Sequence, residues 1–418
     1  MKIACIGTGF VGVVTAAVFA KLDNEVVGLD IDEKKIKLLR EGQVPFYEPG
    51  LSELLVEQQG KGTLHFTTSY EEAIKDAEVI LVMVGTPSAP DGQADLKYVM
   101  AVAESMAPYL REGAIIILKS TVPPGTNEKV REIIASKTKA QFDIASVPEF
   151  LREGTAVEDT LHPDRILIGS TNPATINKLQ ALHKSLTNNI IVMKPESAQM
   201  AKYASNVYLA MRITFANQMA DLCEKNGADV QEVISGMGGD RRIGAHYWYP
   251  GLGYGGSCFP KDVKEIAAYA RSVGETESIF IAVDDRNEKR IPQLMAQYDE
   301  LVGGFKGKTV AVLGLSFKKN TNDTREAPAS RVIPWLKGQG AMVRSVDPKV
   351  EADYTDPYEA AAGAHVLMLL VEWEEYTKLD LTKLASIMVS PKYLIDTRNQ
   401  YKQEDAKAAG LAYKGVGR

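Results

Sequence analysis

The first thirty residues restrict the fold more than any other stretch. Lys2-Ile3-Ala4-Cys5-Ile6 reads as a short buried strand. Gly7-Thr8-Gly9-Phe10-Val11-Gly12 follows at once, and the small residues from Val13 to Ala20 read as helix. Glu25-Val26-Val27-Gly28-Leu29-Asp30 then reads as a second strand ending in an acid. GxGxxG alone is a weak signal. Between a strand and a helix, with an acid closing the next strand, it is the fingerprint of a dinucleotide-binding βαβ unit. Gly7 makes the turn, Gly9 admits a pyrophosphate, Gly12 lets helix pack on strand, and Asp30 can accept from ribose hydroxyls. An acid there repels a 2′-phosphate, so the expected cofactor is NAD rather than NADP. Lys2 before a mostly apolar run also resembles a secretory signal. Three glycines at fingerprint spacing interrupt that run, and we read it as the first strand of a sheet.

A chain of 418 residues, 45% hydrophobic and 24% charged, has room for two or three domains with cores of their own. Its longest apolar strands, Val79–Val84 and Val366–Val371, are far too short to cross a bilayer, so no membrane is expected. The net charge of −6 argues against a nucleic-acid surface. Three widely separated cysteines, Cys5, Cys223 and Cys258, have no metal-ligand spacing and fit a reducing cytoplasm; no metal is expected.

After Asp30, apolar strands at 79–84, 114–119, 142–147 and 165–169 alternate with helical stretches, the rhythm of a mostly parallel sheet. Their ends carry Gly85-Thr86-Pro87, Ser120 to Gly125 and Pro148 to Gly154, where open α/β sheets bind ligands. From Glu196 to Asn226 no Pro or Gly intervenes. Met200, Tyr203, Val207, Met211, Phe215, Met219 and Leu222 recur at helical spacing there, which we read as core or subunit interface. Lys202 and Asn206 share a face of this helix. A second α/β unit starts at Lys308, with strands at 309–314 and 342–347 around a helix at 327–339, and later strands at 366–371 and 393–395. Between Phe317 and Arg344 six basic residues face two acids, which suggests a second anionic ligand. The expected architecture is α/β: two Rossmann-like doubly wound domains joined by a long central helix. We divide it into residues 1–195 for the cofactor, 196–300 as a central helical dimerisation region, and 301–418 for the other ligand.

The run Gly253-Tyr254-Gly255-Gly256-Ser257-Cys258-Phe259-Pro260-Lys261-Asp262 sets one thiol in a glycine-rich turn beside a cation and a carboxylate. Glycines let backbone N–H groups approach a substrate, the cation favours thiolate, and the acid can orient water or a proton. Taken alone the segment reads equally well as a structural cysteine at a tight turn. The dinucleotide fingerprint favours the reactive reading.

These motifs, with Lys202-Tyr203-Ala204-Ser205-Asn206 and Phe317 to Glu326, resemble those of the nucleotide-sugar 6-dehydrogenase family, the UDP-glucose/GDP-mannose dehydrogenases, over essentially the whole chain. The resemblance implies NAD-dependent four-electron oxidation of a sugar C6 hydroxyl to the acid through a cysteine thiohemiacetal and thioester. It implies Cys258 as nucleophile, Lys202 and Asn206 as stabilisers of oxyanion charge, Asp262 and Thr121 as organisers of water, and Glu149 as base for the hydrolytic steps. Cofactor positions would be Gly7, Gly9, Phe10, Val11, Gly12, Asp30, Lys35, Thr86, Thr121, Glu153 and Arg325. The nucleotide sugar would lie on Glu149, Phe150, Leu151, Glu153, Lys202, Asn206, Tyr247, Gly255, Lys318 and Arg398, with Arg242 crossing from a neighbouring subunit of a homodimer or larger homo-oligomer.

The wording from Ser257 to Asp262 favours UDP-glucose, giving UDP-glucuronate, over acetamido sugars. GDP-mannose and UDP-N-acetylhexosamines are the alternatives within this mechanism. A two-electron hydroxyacid dehydrogenase would share the first domain and long helix but leave Cys258 and the C-terminal unit without a role. A non-catalytic NAD sensor would need no reactive thiol.

Overall fold

The computed structural model describes residues 1–418, which fall into two compact units, Met1–Ser205 and Asn206–Arg418. The first holds eight strands: β1 (Lys2–Ile6), β2 (Glu25–Leu29), β3 (Leu64–Thr67), β4 (Val79–Val82), β5 (Ala114–Leu118), β6 (Phe142–Ser146), β7 (Ile166–Gly169) and β8 (Ile190–Met193). They lie in the order β3-β2-β1-β4-β5-β6-β7-β8. The first six follow the doubly wound dinucleotide-binding order. All pairs are parallel except β6 with β7.

Alternation along the strands explains why this sheet is covered on both sides. Ile3, Cys5, Leu81, Ile117 and Ala145 join one core with Val13, Val14, Ala17 and Val18 of the helix Phe10–Lys21. Ala4, Ile80, Ile116 and Ile144 join another with Val99, Val102, Met106, Val130 and Ile134. Strands buried on both faces read as continuous apolar runs rather than as alternation, as they do here.

The second unit contains β9 (Thr309–Leu313), β10 (Met342–Val346), β11 (Val366–Leu369), β12 (Tyr393–Asp396) and β13 (Ala412–Gly415), in the order β10-β9-β11-β12-β13, all parallel. This is the other common doubly wound order, with its switch point between β9 and β11. Gly314 turns the chain there at φ +100°, as Gly7 does after β1 at φ +93°. The two corners share a hydrogen bond as well: Gly7 N–H to Leu29 O and Gly314 N–H to Val346 O.

The helix Pro195–Asn226 has 32 residues and is roughly 48 Å long at 1.5 Å per residue. Its apolar series does not form one buried stripe. Tyr203 and Val207 are buried, whereas Phe215 and Leu222 are 46% and 53% exposed. Tyr208, Phe215 and Leu222, seven residues apart, fall within about 40° of one another and make an exposed apolar stripe. Lys202 and Asn206 are buried rather than solvated.

Candidate active site

The fingerprint glycines divide three steric tasks. A Cβ on Gly7 would lie 2.7 Å from Met83 O, and one on Gly12 would lie 1.8 Å from Gly7 O. At Gly9 nothing lies within 4 Å of that position. Gly7 and Gly12 are therefore demanded by packing, and Gly9 leaves an opening at the N-terminus of a helix with no acid in its first turn. Helix N–H groups with open space before them suit a pyrophosphate, so the residues fit a dinucleotide. Phe10 and Val11 begin that helix, and the Phe10 ring packs on Phe46.

Asp30, just past β2, accepts from Thr8 N–H and Thr8 Oγ1, both at 2.9 Å, and pairs with Lys35 Nζ at 2.8 Å. Burial pushes its carboxyl up, but the hydrogen bonds from Lys35, Thr8 and the Asp32 N–H outweigh this and hold it below the usual aspartate range. At the next strand ends, Thr86 Oγ1 donates to Thr121 O at 2.9 Å, and Ser120 Oγ donates to Val84 O at 2.7 Å, so the two loops are fastened together.

Past β6, Glu149 Oε2 accepts from Leu151 N–H at 2.6 Å while Oε1 meets Lys202 Nζ at 2.9 Å. Burial raises the Glu149 carboxyl. The Lys202 charge and hydrogen bond, the Leu151 N–H and the Lys119 charge overcome that, and Glu149 is held as a carboxylate below its usual range. Phe150 presents its ring to Arg165 and Lys202 at 3.7 and 5.2 Å. Beyond it, Glu153 precedes Gly154, whose φ is +84°.

Three contributors in this unit were not singled out by the sequence reading. Glu48 is buried, and its two oxygens accept from Gly154 N–H and Ala156 N–H, both at 2.6 Å, pinning the loop from Glu149 to Ala156. Its only local signal is an acid in the turn Tyr47-Glu48-Pro49-Gly50. Asn127, Ser146 and Gln199 form a buried triangle with sides of 2.9 to 3.1 Å, which ties β6 to the long helix one turn before Lys202. Lys119 directly follows β5; burial, with the Lys202 charge, lowers its pKa to about 8 against the pull of Glu149.

In the second unit Cys258 caps the N-terminus of the helix Phe259–Ser272 and is exposed, whereas Cys5 and Cys223 are buried. Ser257 Oγ lies 3.6 Å from its sulfur. Asp262, one turn on and buried, accepts from Asn206 Nδ2 at 2.6 Å and from Lys261 Nζ at 2.6 Å. Lys261 also meets Glu265 at 3.4 Å. Burial lowers the Lys261 ammonium, yet Asp262, Glu265 and Cys258 together raise it, so it stays charged near the thiol. A helix N-terminus and a fixed ammonium are surroundings that favour negative charge on sulfur.

Gly255 is required by close packing, since a Cβ would sit 2.2 Å from Glu326 O. Tyr247, at φ +66°, packs on Tyr249 and Phe259. Arg398 pairs with Glu372 at 3.1 Å and donates to Leu370 O and Phe317 O. Lys318 lies 5.4 Å from the Phe317 ring, Arg325 is paired with Asp323, and Arg242 is paired with Asp240 and 83% exposed.

The basic run from Phe317 to Arg344 does not converge as one patch. Arg331 pairs with Glu288 and donates to its carbonyl, and Arg344 donates to Ala360 O and Ala362 O. These two guanidinium groups serve local structure, where composition alone counted them toward a ligand.

The NAD binding domain of the UDP-glucose/GDP-mannose dehydrogenase family matches residues 1–187, its central domain residues 196–289 and its UDP binding domain residues 311–403. UDP-glucose 6-dehydrogenase TuaD of Bacillus subtilis strain 168 is 41% identical, over 100% of this chain and 93% of the relative. A UDP-glucose dehydrogenase structure from the hyperthermophilic archaeon Pyrobaculum islandicum is 38% identical with a TM-score of 0.91, covering 99% of this chain and 97% of that one. The structure of UDP-D-ManNAc dehydrogenase from Pyrococcus horikoshii is 28% identical, also with a TM-score of 0.91, covering 100% and 99%.

Proposed function

The chain belongs to the UDP-glucose/GDP-mannose dehydrogenase family and is an NAD-dependent oxidoreductase; from that premise we propose that it oxidises UDP-glucose at C6 to UDP-glucuronate, with Cys258 carrying the sugar through the second oxidation. The observation that carries this reading is the exposed Cys258 at a helix N-terminus, with Asp262, Lys261 and Asn206 joined by hydrogen bonds one turn away. An alcohol becomes an aldehyde with a base and a hydride acceptor alone. An aldehyde becomes an acid only after a nucleophile has added to it, and a thiolate supplies that adduct.

The Gly7–Gly12 corner, Asp30 and Lys35, together with Thr86, Thr121, Glu153 and Arg325, would hold NAD, which would supply the hydride acceptor for each oxidation. Cys258 sulfur bonds to the aldehyde carbon, and Lys202 and Asn206 stabilise the oxyanion that results. Loss of hydride from this adduct leaves a thioester. Water, oriented by Asp262 and Thr121 and deprotonated by Glu149, attacks the thioester carbon; the C–S bond breaks and Cys258 leaves as thiolate. Glu149 suits this role because its surroundings keep it ionised. Phe150, Leu151, Tyr247, Gly255, Lys318 and Arg398 are the residues we assign to the UDP-sugar.

We read residues 1–195 as the cofactor domain, 196–300 as the dimerisation region and 301–418 as the UDP-sugar domain of a cytoplasmic homodimer. The exposed Tyr208, Phe215 and Leu222 on the long helix, and the exposed Arg242, support a partner subunit there. The fold likeness extends equally to a relative named for a different sugar, so the sugar is decided by assay. NADH formed per sugar is measured with UDP-glucose, GDP-mannose and UDP-N-acetylglucosamine, for wild type and Cys258→Ser. About two NADH per UDP-glucose, with turnover lost in the variant, is expected from two hydride transfers. One NADH per sugar, or normal turnover in Cys258→Ser, overturns the thioester reading.

A further inference from the structure

The turn that leads into Cys258 belongs to no strand or helix, and side chains from two helices hold its backbone. Gly251 N–H donates to Asn217 Oδ1 at 2.7 Å, and Gly251 O accepts from Arg290 Nε at 2.9 Å. Three residues on, Tyr254 N–H donates to Asn287 Oδ1 at 2.9 Å and Tyr254 O accepts from Asn287 Nδ2 at 3.1 Å. One amide thus meets both polar groups of one residue, as a neighbouring strand would. Gly253 makes room for it: its φ is +98°, and a Cβ there would lie 2.4 Å from Asn287 Oδ1. Asn287 and Arg290 lie three apart on the helix Ile279–Leu301 and so share a face. Arg290 is itself fixed by Asp221.

We propose that Asn287 is a positioning residue: its amide sets the orientation of the Tyr254 peptide groups, and through them the placement of Gly255 and the Cys258 sulfur. This rests on the reading of Cys258 as nucleophile and Gly255 as a sugar contact. The amide is suited to the task because it offers an acceptor and a donor side by side in one plane. Asn287 is partly exposed and stands outside the apolar core, which its own helix joins through Ile291, Leu294 and Met295. Its truncation should therefore leave the fold intact and loosen the turn. A displacement near 1 Å at a reacting group costs on the order of 100-fold in rate.

The test compares wild type, Asn287→Ala, Asn287→Asp and Cys258→Ser. Steady-state kinetics with UDP-glucose and NAD are measured first. The rate at which iodoacetamide alkylates the exposed thiol is then measured without substrate, and thermal melts report the fold. In Asn287→Ala we expect kcat to fall about 10- to 100-fold with the KM for NAD unchanged, and the alkylation rate to change several-fold. Asn287→Asp keeps the acceptor for Tyr254 N–H and loses the donor, so it should fall between the two. A folded Asn287→Ala with kcat and alkylation rate both within about twofold of wild type overturns the proposal. Normal turnover in Cys258→Ser overturns the nucleophile reading instead, and the alkylation rate still reports whether Asn287 sets the turn.

Discussion

Lys202 Nζ lies 2.9 Å from Glu149 Oε1, and the two side chains are only 4% and 9% exposed. A buried ion pair resists the loss of either partner, because the survivor keeps its charge in a medium that solvates it poorly. Lys202→Met should therefore cost about 3 to 5 kcal/mol if Glu149 stays ionised, or drive it to protonate. Glu149 is lowered in the folded chain, so its contribution is present at neutral pH and is lost as the pH falls through the folded value. Without Lys202, burial becomes the larger influence and the carboxyl rises. The acid limb of kcat/KM should shift to higher pH in Lys202→Met, with kcat reduced about 100-fold or more. An unshifted limb would show that Glu149 does not act as the base.

Asp30 and Asp347 occupy matching corners and should fail differently when mutated. Asp347, just past β10, accepts from Leu315 N–H at 2.7 Å, Ser316 N–H at 3.2 Å, Lys349 N–H at 2.8 Å and Val350 N–H at 3.0 Å. Ser316 Oγ donates to it as well, at 3.4 Å, and no lysine pairs with it as Lys35 pairs with Asp30. Asp347→Ala should leave buried donors unmatched and lower stability by about 2 kcal/mol or more, with the KM for NAD unchanged in the protein that remains folded. Asp30→Ala should instead raise the KM for NAD about tenfold and narrow the preference over NADP, since the charge that repels a 2′-phosphate is gone. Cofactor kinetics and melting curves on both variants separate the two.

The glycine corner was legible because its spacing is set within the turn itself: a Cβ on Gly12 would meet Gly7 O, five residues back, and the position of Gly9 stays open. Glu48 was not, because the N–H groups that it accepts from lie 106 and 108 residues further along the chain. Lys119 is one lysine after an apolar strand in the sequence, and only the fold sets its charge against Glu149 and Lys202. The series from Met200 to Leu222, read as core or subunit interface, contains both buried residues, Tyr203 and Val207, and exposed ones, Phe215 and Leu222. Tyr208, Phe215 and Leu222 recur seven residues apart and fall within about 40° of one another, so the exposed residues form a stripe that the apolar spacing alone does not separate from the buried one.

His183 supplies an acid-sensitive contribution in the first unit. It is buried, its Nδ1 bonds to Leu179 O at 2.7 Å, and its ring stands edge-on to Phe19. Burial lowers its pKa to about 4 from the usual 6.5. The unfolded chain therefore binds more protons between these values, and stability falls as the pH drops from 6.5 toward 4. A shift of this size corresponds to about 3 kcal/mol. The melting temperature of His183→Gln should fall less than that of wild type between pH 6.5 and 4.5. Parallel losses in the two proteins would rule out His183 as the source.

Lys119 should show stability and activity opposed at one residue. Its pKa of about 8 lies below the ordinary 10.5 because burial disfavours the ammonium and Lys202 repels it. Below pH 8 both folded and unfolded chains carry the proton and the folded state bears the full cost; between about 8 and 10.5 the unfolded chain binds more protons, so stability rises with pH. Lys119→Met removes the charge while keeping a long apolar side chain, so at pH 7 it should melt higher than wild type, and the rise in stability above pH 8 should disappear. The same change withdraws a cation that helps hold Glu149 ionised, so kcat/KM should fall and its acid limb move upward, though less than in Lys202→Met. A site that keeps a charge at a cost to the fold does so for its chemistry. Melting curves from pH 6 to 10 and a pH–rate profile decide the matter: a variant no more stable than wild type at pH 7, or one with an unchanged acid limb, breaks the link between this lysine and Glu149.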